Sequence, residues 1–358
     1  MDIEMVTAPS IGPVAWDPEI DTELLCIDVH LETHDVKTFT FVSASGKEIS
    51  FTAGQYFAFD VETESGTETR CYSISSSPSR RRAVSITVKR VPGGIVSNWL
   101  HDTLTAGQIL RAAGPLGHFA RPENRKYLFL SGGSGITPVM SMVRDLADQA
   151  LPVDVIFLHA CRTPLDLAFR AELETIARRL KGLRLFFLPE TLVGEPGWHG
   201  LSGRISEGLL ALAVPDIAGR TVLCCGPAPF MAAARSLCAN LGVPADNYVE
   251  ENFDAAVIED APAPLSEEKV PASFKVIFTK QGRSIDVSGE QTILGCAKKA
   301  GIKIPSSCAT GLCGTCKSKL VSGQVNMTHN GGIRQREIDA GLFLPCCSKP
   351  LSDLVIER

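Results

Sequence analysis

The chain changes its hydrophobic rhythm twice. Between about residues 21 and 122 apolar and polar positions alternate in short runs, through Phe39 and Phe41, then Tyr56, Phe57 and Phe59, then AVSITVKR at 83–90. Period two marks a strand with one face buried, and the turn-forming stretches SASGK and ETESGTE separate the runs. The pattern predicts a small antiparallel β-barrel, interrupted by one helix near VSNWLHDTL, 96–104. Beyond Asn124 the runs KYLFLSGG, VDVIFLHA, LRLFFLPE and RTVLCCG are almost wholly apolar, as strands covered on both faces must be. Helices predicted at 137–149, 168–180, 204–212 and 228–241 follow these strands, and YVEENF (248–253) closes the segment. Strand–helix alternation of this kind predicts a doubly wound α/β domain over 123–253. Residues 254–270, DAAVIEDAPAPLSEEKV, are acidic, rich in Ala and Pro and without periodicity, and read as a linker. A third domain, 271–358, opens with the strand SFKVIFT.

Composition fits this division. A chain of 358 residues can bury two or three cores, and 44% hydrophobic with 21% charged residues suits a globular protein. The start, MDIEMVTAPS, has no apolar core of a signal peptide. No apolar run approaches the roughly 18–20 residues that span a bilayer. A cytoplasmic protein is expected, and there thiols stay reduced. Twelve cysteines in that setting point to metal or redox chemistry rather than disulfides. The net charge of −5 hides an asymmetry: from Leu265 onward 13 Lys and Arg face 8 Asp and Glu, so the tail is basic and the body acidic. Such a tail suits an acidic protein partner. Nucleic acid is not indicated, because no basic stripe with interleaved aromatics occurs.

The thiols concentrate in SSCATGLCGTCKSK (306–319), with a distant pair in LFLPCCSKP. Cys308-x4-Cys313-x2-Cys316, then 29 residues, then Cys346 is the spacing of plant-type [2Fe–2S] ligands. Gly311 and Gly314 let the loop close around sulfide, and Ser306, Ser307, Ala309 and Thr315 leave amides free to face it. Structural zinc prefers two paired hooks, and here one long hook meets one residue. Cys346 and its neighbour Cys347 compete for the fourth position; Cys346, four residues before Pro350, is chosen. Cys26, Cys71, Cys161, Cys224, Cys238 and Cys296 are expected to be small buried residues.

Two further motifs concern nucleotides. RCYSISS (70–76) puts Arg70, Tyr72 and Ile74 on one strand face, where arginine can neutralise a pyrophosphate and tyrosine can stack on a flavin. Gly93-Gly94-Ile95-Val96-Ser97 precedes the lone helix, whose N-terminus can hold the same pyrophosphate. In LFLSGGSGITPVM (128–140), Gly132, Gly133 and Gly135 would let backbone approach a phosphate, with Thr137 beyond them and Pro138 in the first helical turn. Cys225-Gly226-Pro227 ends the fourth strand of that sheet, where Cys225 can flank a nicotinamide ring. LHACRTPLD offers Arg162 and Asp166 at the position that separates NADPH from NADH. His118 and His159 read as structural, and Arg80-Arg81-Arg82 as a solvated turn.

RCYSISS, GGIVSNWL, GPLGHF, GGSGITP, CGPAPFM and Glu251-Asn252-Phe253 occur in that order. Together they resemble the ferredoxin–NADP reductase superfamily, fused to a C-terminal plant-type ferredoxin of β-grasp fold. The closest resemblance is to reductase components of Rieske oxygenases, of the kind that demethylate betaine-like quaternary amines. The resemblance implies that Arg70, Tyr72, Ser73 and Ser97 bind FAD, and that Thr137 and Cys225 line the nicotinamide site. It further implies Glu251 near flavin N5 and Phe253 over the flavin ring. NADH is the expected donor. Electrons would run from nicotinamide to FAD to cluster to an oxygenase. Plant-type clusters lie near −400 mV and Rieske centres begin near −150 mV, so at 59 mV per decade outward transfer is favoured by about four decades. The acceptor must be another protein, since no Cys-x-His of a Rieske site occurs in the chain. Rival acceptors are a hybrid-cluster protein or an epoxidase; a non-catalytic, zinc-stabilised interaction module is the rival from another class.

Overall fold

The computed structural model describes residues 14–18, 20–63, 66–253, 273–302, 304, 311, 314, 316–329, 333 and 335–358. The predicted linker, Cys308 and Cys313 lie outside the described residues.

The first set of elements is β1 (Glu23–Thr33), β2 (Val36–Ser43), β3 (Tyr56–Thr63), β4 (Gly66–Ser73), β5 (Val84–Lys89), α1 (Ile95–Thr103) and β6 (Ile109–Leu116). The strands pair antiparallel in the order β4-β3-β6-β1-β2-β5. An antiparallel bridge from Ile74 to Ile86 brings the two edges together, closing the barrel. Phe39, Phe41, Phe57 and Phe59 fill its interior, and α1 inserts Val96 and Leu100 into the same core.

A parallel sheet follows, β11-β10-β7-β8-β9. It is built from β7 (Lys126–Gly132), α2 (Ile136–Asp148), β8 (Asp154–Cys161), α3 (Arg170–Arg179), β9 (Leu183–Pro189), α4 (Glu207–Ala213), β10 (Thr221–Cys225), α5 (Ala228–Asn240) and β11 (Tyr248–Glu251). Its two faces carry separate cores: Phe129, Phe157 and Leu223 lie on one, Leu128, Ile156 and Cys224 on the other. Barrel residues Val36, Ala53 and Phe119 join the first of these cores. Hydrogen bonds reinforce the junction, from Ser141 to Ser76 O (2.7 Å) and from Arg144 to Ser75 O (2.6 Å). Arg80, read as part of a solvated turn, instead makes a two-pronged ion pair with Asp148 on α2. The barrel and the parallel sheet are thus docked through α2.

The third set is β12 (Ser273–Phe278), β13 (Arg283–Ser288), α6 (Ile293–Lys299), β14 (Ser318–Ser322), β15 (Val325–Met327), α7 (Gln335–Asp339), β16 (Leu342–Phe343), β17 (Ser348–Pro350) and β18 (Leu354–Glu357). A mixed sheet, β13-β12-β18-β14-β16, packs Val276, Phe278 and Ile356 against Ile293 and Ala297 of α6. This is the β-grasp arrangement.

Candidate functional site

In an open α/β sheet the first strand feeds neighbours on both sides, and ligands enter where that order reverses. Here the reversal lies between β7 and β10. Their following turns interlock. A Cβ at Gly135 would stand 2.2 Å from Cys225 O, and one at Gly226 would stand 3.0 Å from Gly132 N. Gly132 is confined less tightly, with Pro227 and the Phe230 ring at 3.1 Å. These glycines therefore serve the packing of one turn on the other. Only Gly133, at φ +52 with nothing nearby, keeps an open side toward a ligand.

A cavity of about 390 Å³ opens over these turns, lined by Gly132, Gly133, Thr137, Arg162, Asp166, Pro227 and, from the barrel, Thr87 and Lys89. Lys89 was missed in the sequence, because nothing in AVSITVKR sets it apart from a solvated strand end. Pro138 lies buried in the first turn of α2. Asp166 caps its own turn, accepting from Thr163 N (3.0 Å) and Thr163 Oγ1 (2.8 Å). Burial pushes the Asp166 carboxyl up, but Thr163 and Arg162 outweigh it and hold the group below its ordinary range.

Along the carboxyl edge of the sheet, Glu251, Cys225, Ser131 and His159 stand side by side in register, so their side chains share one face. Glu251 Oε2 is buried without a partner among the described residues, and burial lifts the carboxyl to about 8. His159 Nδ1 meets Ser131 Oγ at 2.7 Å, Nε2 is unpartnered among the described residues, and burial lowers the ring to about 4. His159 is therefore neutral. Phe253 is 40% exposed just past β11. Cys224 packs in the opposite core, its thiol pushed up to about 12 by burial.

The flavin motifs come together as well. β4 lies against α1. Gly94 caps α1 with no side-chain hydrogen bond and no acid in the first turn, so its leading N–H groups suit an anion. Gly93 takes φ +72. Ser97 is turned back to accept from Val91 N (3.2 Å), and Val96 is a core side chain that offers only its backbone. Arg70 is half-exposed and paired with Glu68 (3.1 Å). Tyr72 packs on the barrel core, its hydroxyl held protonated by burial. Ser73 is buried at the end of β4.

Two of the four cluster cysteines are described. Cys316 and Cys346 share the core of the third domain. Gly311 has φ +74, and a Cβ there would meet Cys347 Sγ at 2.6 Å. Cys347 thus packs against Gly311, while Cys346 is the more deeply buried of the two. Three of the six cysteines expected to be buried are only partly so: Cys71, Cys161 and Cys296. Cys161 ends β8 at the cavity, where its thiol donates to Thr163 O (3.1 Å).

Three family models match the chain. The oxidoreductase FAD-binding domain matches residues 24–120, the oxidoreductase NAD-binding domain 129–236, and the 2Fe-2S iron-sulfur cluster binding domain 277–351. A glycine betaine monooxygenase reductase subunit from Pseudomonas aeruginosa is 40% identical over 343 residues, 93% of this chain and 94% of that protein. The chain belongs to this family of flavin iron–sulfur reductases. Another member, the stachydrine N-demethylase reductase subunit of Rhizobium meliloti, is 38% identical over 93% of this chain and 96% of its own length. Phthalate dioxygenase reductase shares the whole fold, with a TM-score of 0.58 at 24% identity, over 96% of this chain and all of that one.

Membership decides between zinc and an iron–sulfur cluster in favour of the cluster. FAD, NADH and a [2Fe–2S] cluster are the reductase's cofactors. The residues present fit them: an uncapped helix N-terminus beside an arginine suits a pyrophosphate, and the two described ligand cysteines, Cys316 and Cys346, are buried in one core. Among the described residues no helix is long and apolar enough to cross a membrane.

Proposed function

We propose that the chain is the reductase of a Rieske-type oxygenase that demethylates a betaine-like quaternary amine, working in the cytoplasm. Support for the substrate class comes from the two relatives, whose names specify glycine betaine and stachydrine. When bound, FAD accepts the two electrons of a hydride and releases them singly to the cluster.

The chain's own residues orient and insulate. Arg70 and the N–H groups at the start of α1 would hold the flavin pyrophosphate, with the anion taking the place of Glu68 as the partner of Arg70. Tyr72 and Ser73 border the ring. Gly133, Thr137 and Pro138 receive the nicotinamide end, with Gly226 and Pro227 closing the other side. Cys225 and Glu251 sit on the edge of the sheet that faces the barrel, and Glu251 holds a proton on its carboxyl at neutral pH. Phe253, exposed just past β11, would cover the flavin ring when the cofactor is bound. Cys308, Cys313, Cys316 and Cys346 hold the cluster.

One observation carries this reading: the cavity over the nucleotide turns is lined by barrel and sheet together, so a nicotinamide bound there would lie against the flavin domain. Reconstitution tests it. With NADH, this protein and a purified betaine-demethylating Rieske oxygenase, formaldehyde release should depend on the protein. An oxygenase that turns over equally well without it would end the assignment.

A further inference from the structure

The two-residue tip between β1 and β2 reaches from the barrel to the mouth of the nucleotide cavity. There Asp35 is only partly exposed, and its carboxylate lies 3.2 Å from Lys89 Nζ and 3.3 Å from Arg162 Nη2. The same Arg162 nitrogen donates to Asp166 Oδ1 at 3.0 Å. Thr33 Oγ1 anchors the other oxygen of Asp35 at 3.1 Å. Two cations and two carboxylates therefore form a neutral quartet drawn from both domains.

Position gives the quartet a meaning. Arg162 and Asp166 follow the second strand of the sheet, where the ribose farther from the nicotinamide is read. A ribose 2′-hydroxyl can donate to a carboxylate there. A 2′-phosphate, carrying about −1.5 to −2 charges, would meet two carboxylates and an arginine already committed to both. Removing Asp35 alone would leave Lys89 and Arg162 with Asp166 in the cluster, a net positive site that accepts phosphate; Glu190, the other carboxylate lining the cavity, is itself paired with Arg204.

We propose that Asp35, a residue of the flavin barrel, is a specificity-determining residue that rejects NADPH by holding Arg162 and Lys89 away from the 2′-phosphate. This is discrimination by repulsion as well as by attraction. It rests on the reading of the cavity as the NADH site.

The test measures kcat/KM for NADH and NADPH with the intact holoprotein and ferricyanide as acceptor, for the native chain, Asp35→Asn and Asp35→Glu. The native chain should prefer NADH. In Asp35→Asn the NADPH/NADH ratio of kcat/KM should rise at least about tenfold, mainly through a lower KM for NADPH, given one unit charge removed a few ångströms from the phosphate. Asp35→Glu should restore discrimination. A ratio within twofold of native in Asp35→Asn, or equal losses with both cofactors, overturns the inference and leaves the cavity assignment standing. A native holoprotein that oxidises neither cofactor overturns both.

Discussion

Glu251 ends β11 with its carboxyl among buried neighbours, and the loss of water around it lifts the pKa from 4.5 to about 8. Between those values the folded chain binds a proton that the unfolded chain does not. The stabilisation is complete below about pH 4.5 and is lost as pH rises through 8. Glu251→Gln removes the titration and keeps the shape. The native chain's thermal midpoint should therefore fall more steeply than the variant's between pH 5 and 8.5, by the equivalent of roughly 3–4 kcal/mol at most. Parallel curves would mean that the carboxyl is solvated. His159 works in the opposite sense: its stabilisation holds above the ordinary 6.5 and is lost as pH falls through about 4. At this scale the sequence singled out candidate residues through motifs with fixed spacing such as RCYSISS and the cysteine loop. It did not show Asp35 or Lys89, whose importance arises only when two domains meet.

Elements were the most legible level, because each strand's burial follows from its own apolar rhythm. Their ends were less so. The helix expected from 168 begins at Arg170, since Phe169 takes a left-handed conformation (φ +59) that ends the preceding turn. That expected from 204 begins at Glu207, where Ser206 accepts from Leu209 N and caps it. Gly132 and Gly135 of the βα turn also carry a packing role that only contact between turns reveals, whereas Gly133 stays open. Gly135 already has ordinary helical dihedrals, so Gly135→Ala fails on space alone. Pushing Cys225 O away should cost about 2–3 kcal/mol in urea unfolding and raise KM for NADH. An unchanged midpoint would show that the two turns slide apart freely.

For the whole molecule, the three domains and their order were readable because each carries its own periodicity and its own motif. The docking of barrel on sheet was not, since Ser76, Arg80, Ser141 and Arg144 are unremarkable polar positions until α2 brings them together. The charge asymmetry of the chain bears on its partner. If the basic tail steers the cluster to the oxygenase, raising ionic strength from about 0.05 to 0.5 M should slow that second-order transfer several-fold. Reduction of the flavin by NADH should change less than twofold. Equal insensitivity of both steps would remove electrostatics from docking. The central claim, that nicotinamide, flavin and cluster form one electron path in this chain, has a direct measurement. In an anaerobic NADH titration of the holoprotein, followed by absorbance and EPR, flavin bleaching should be accompanied by the rhombic signal of a reduced [2Fe–2S] cluster. Flavin that bleaches while no such signal ever develops would contradict it.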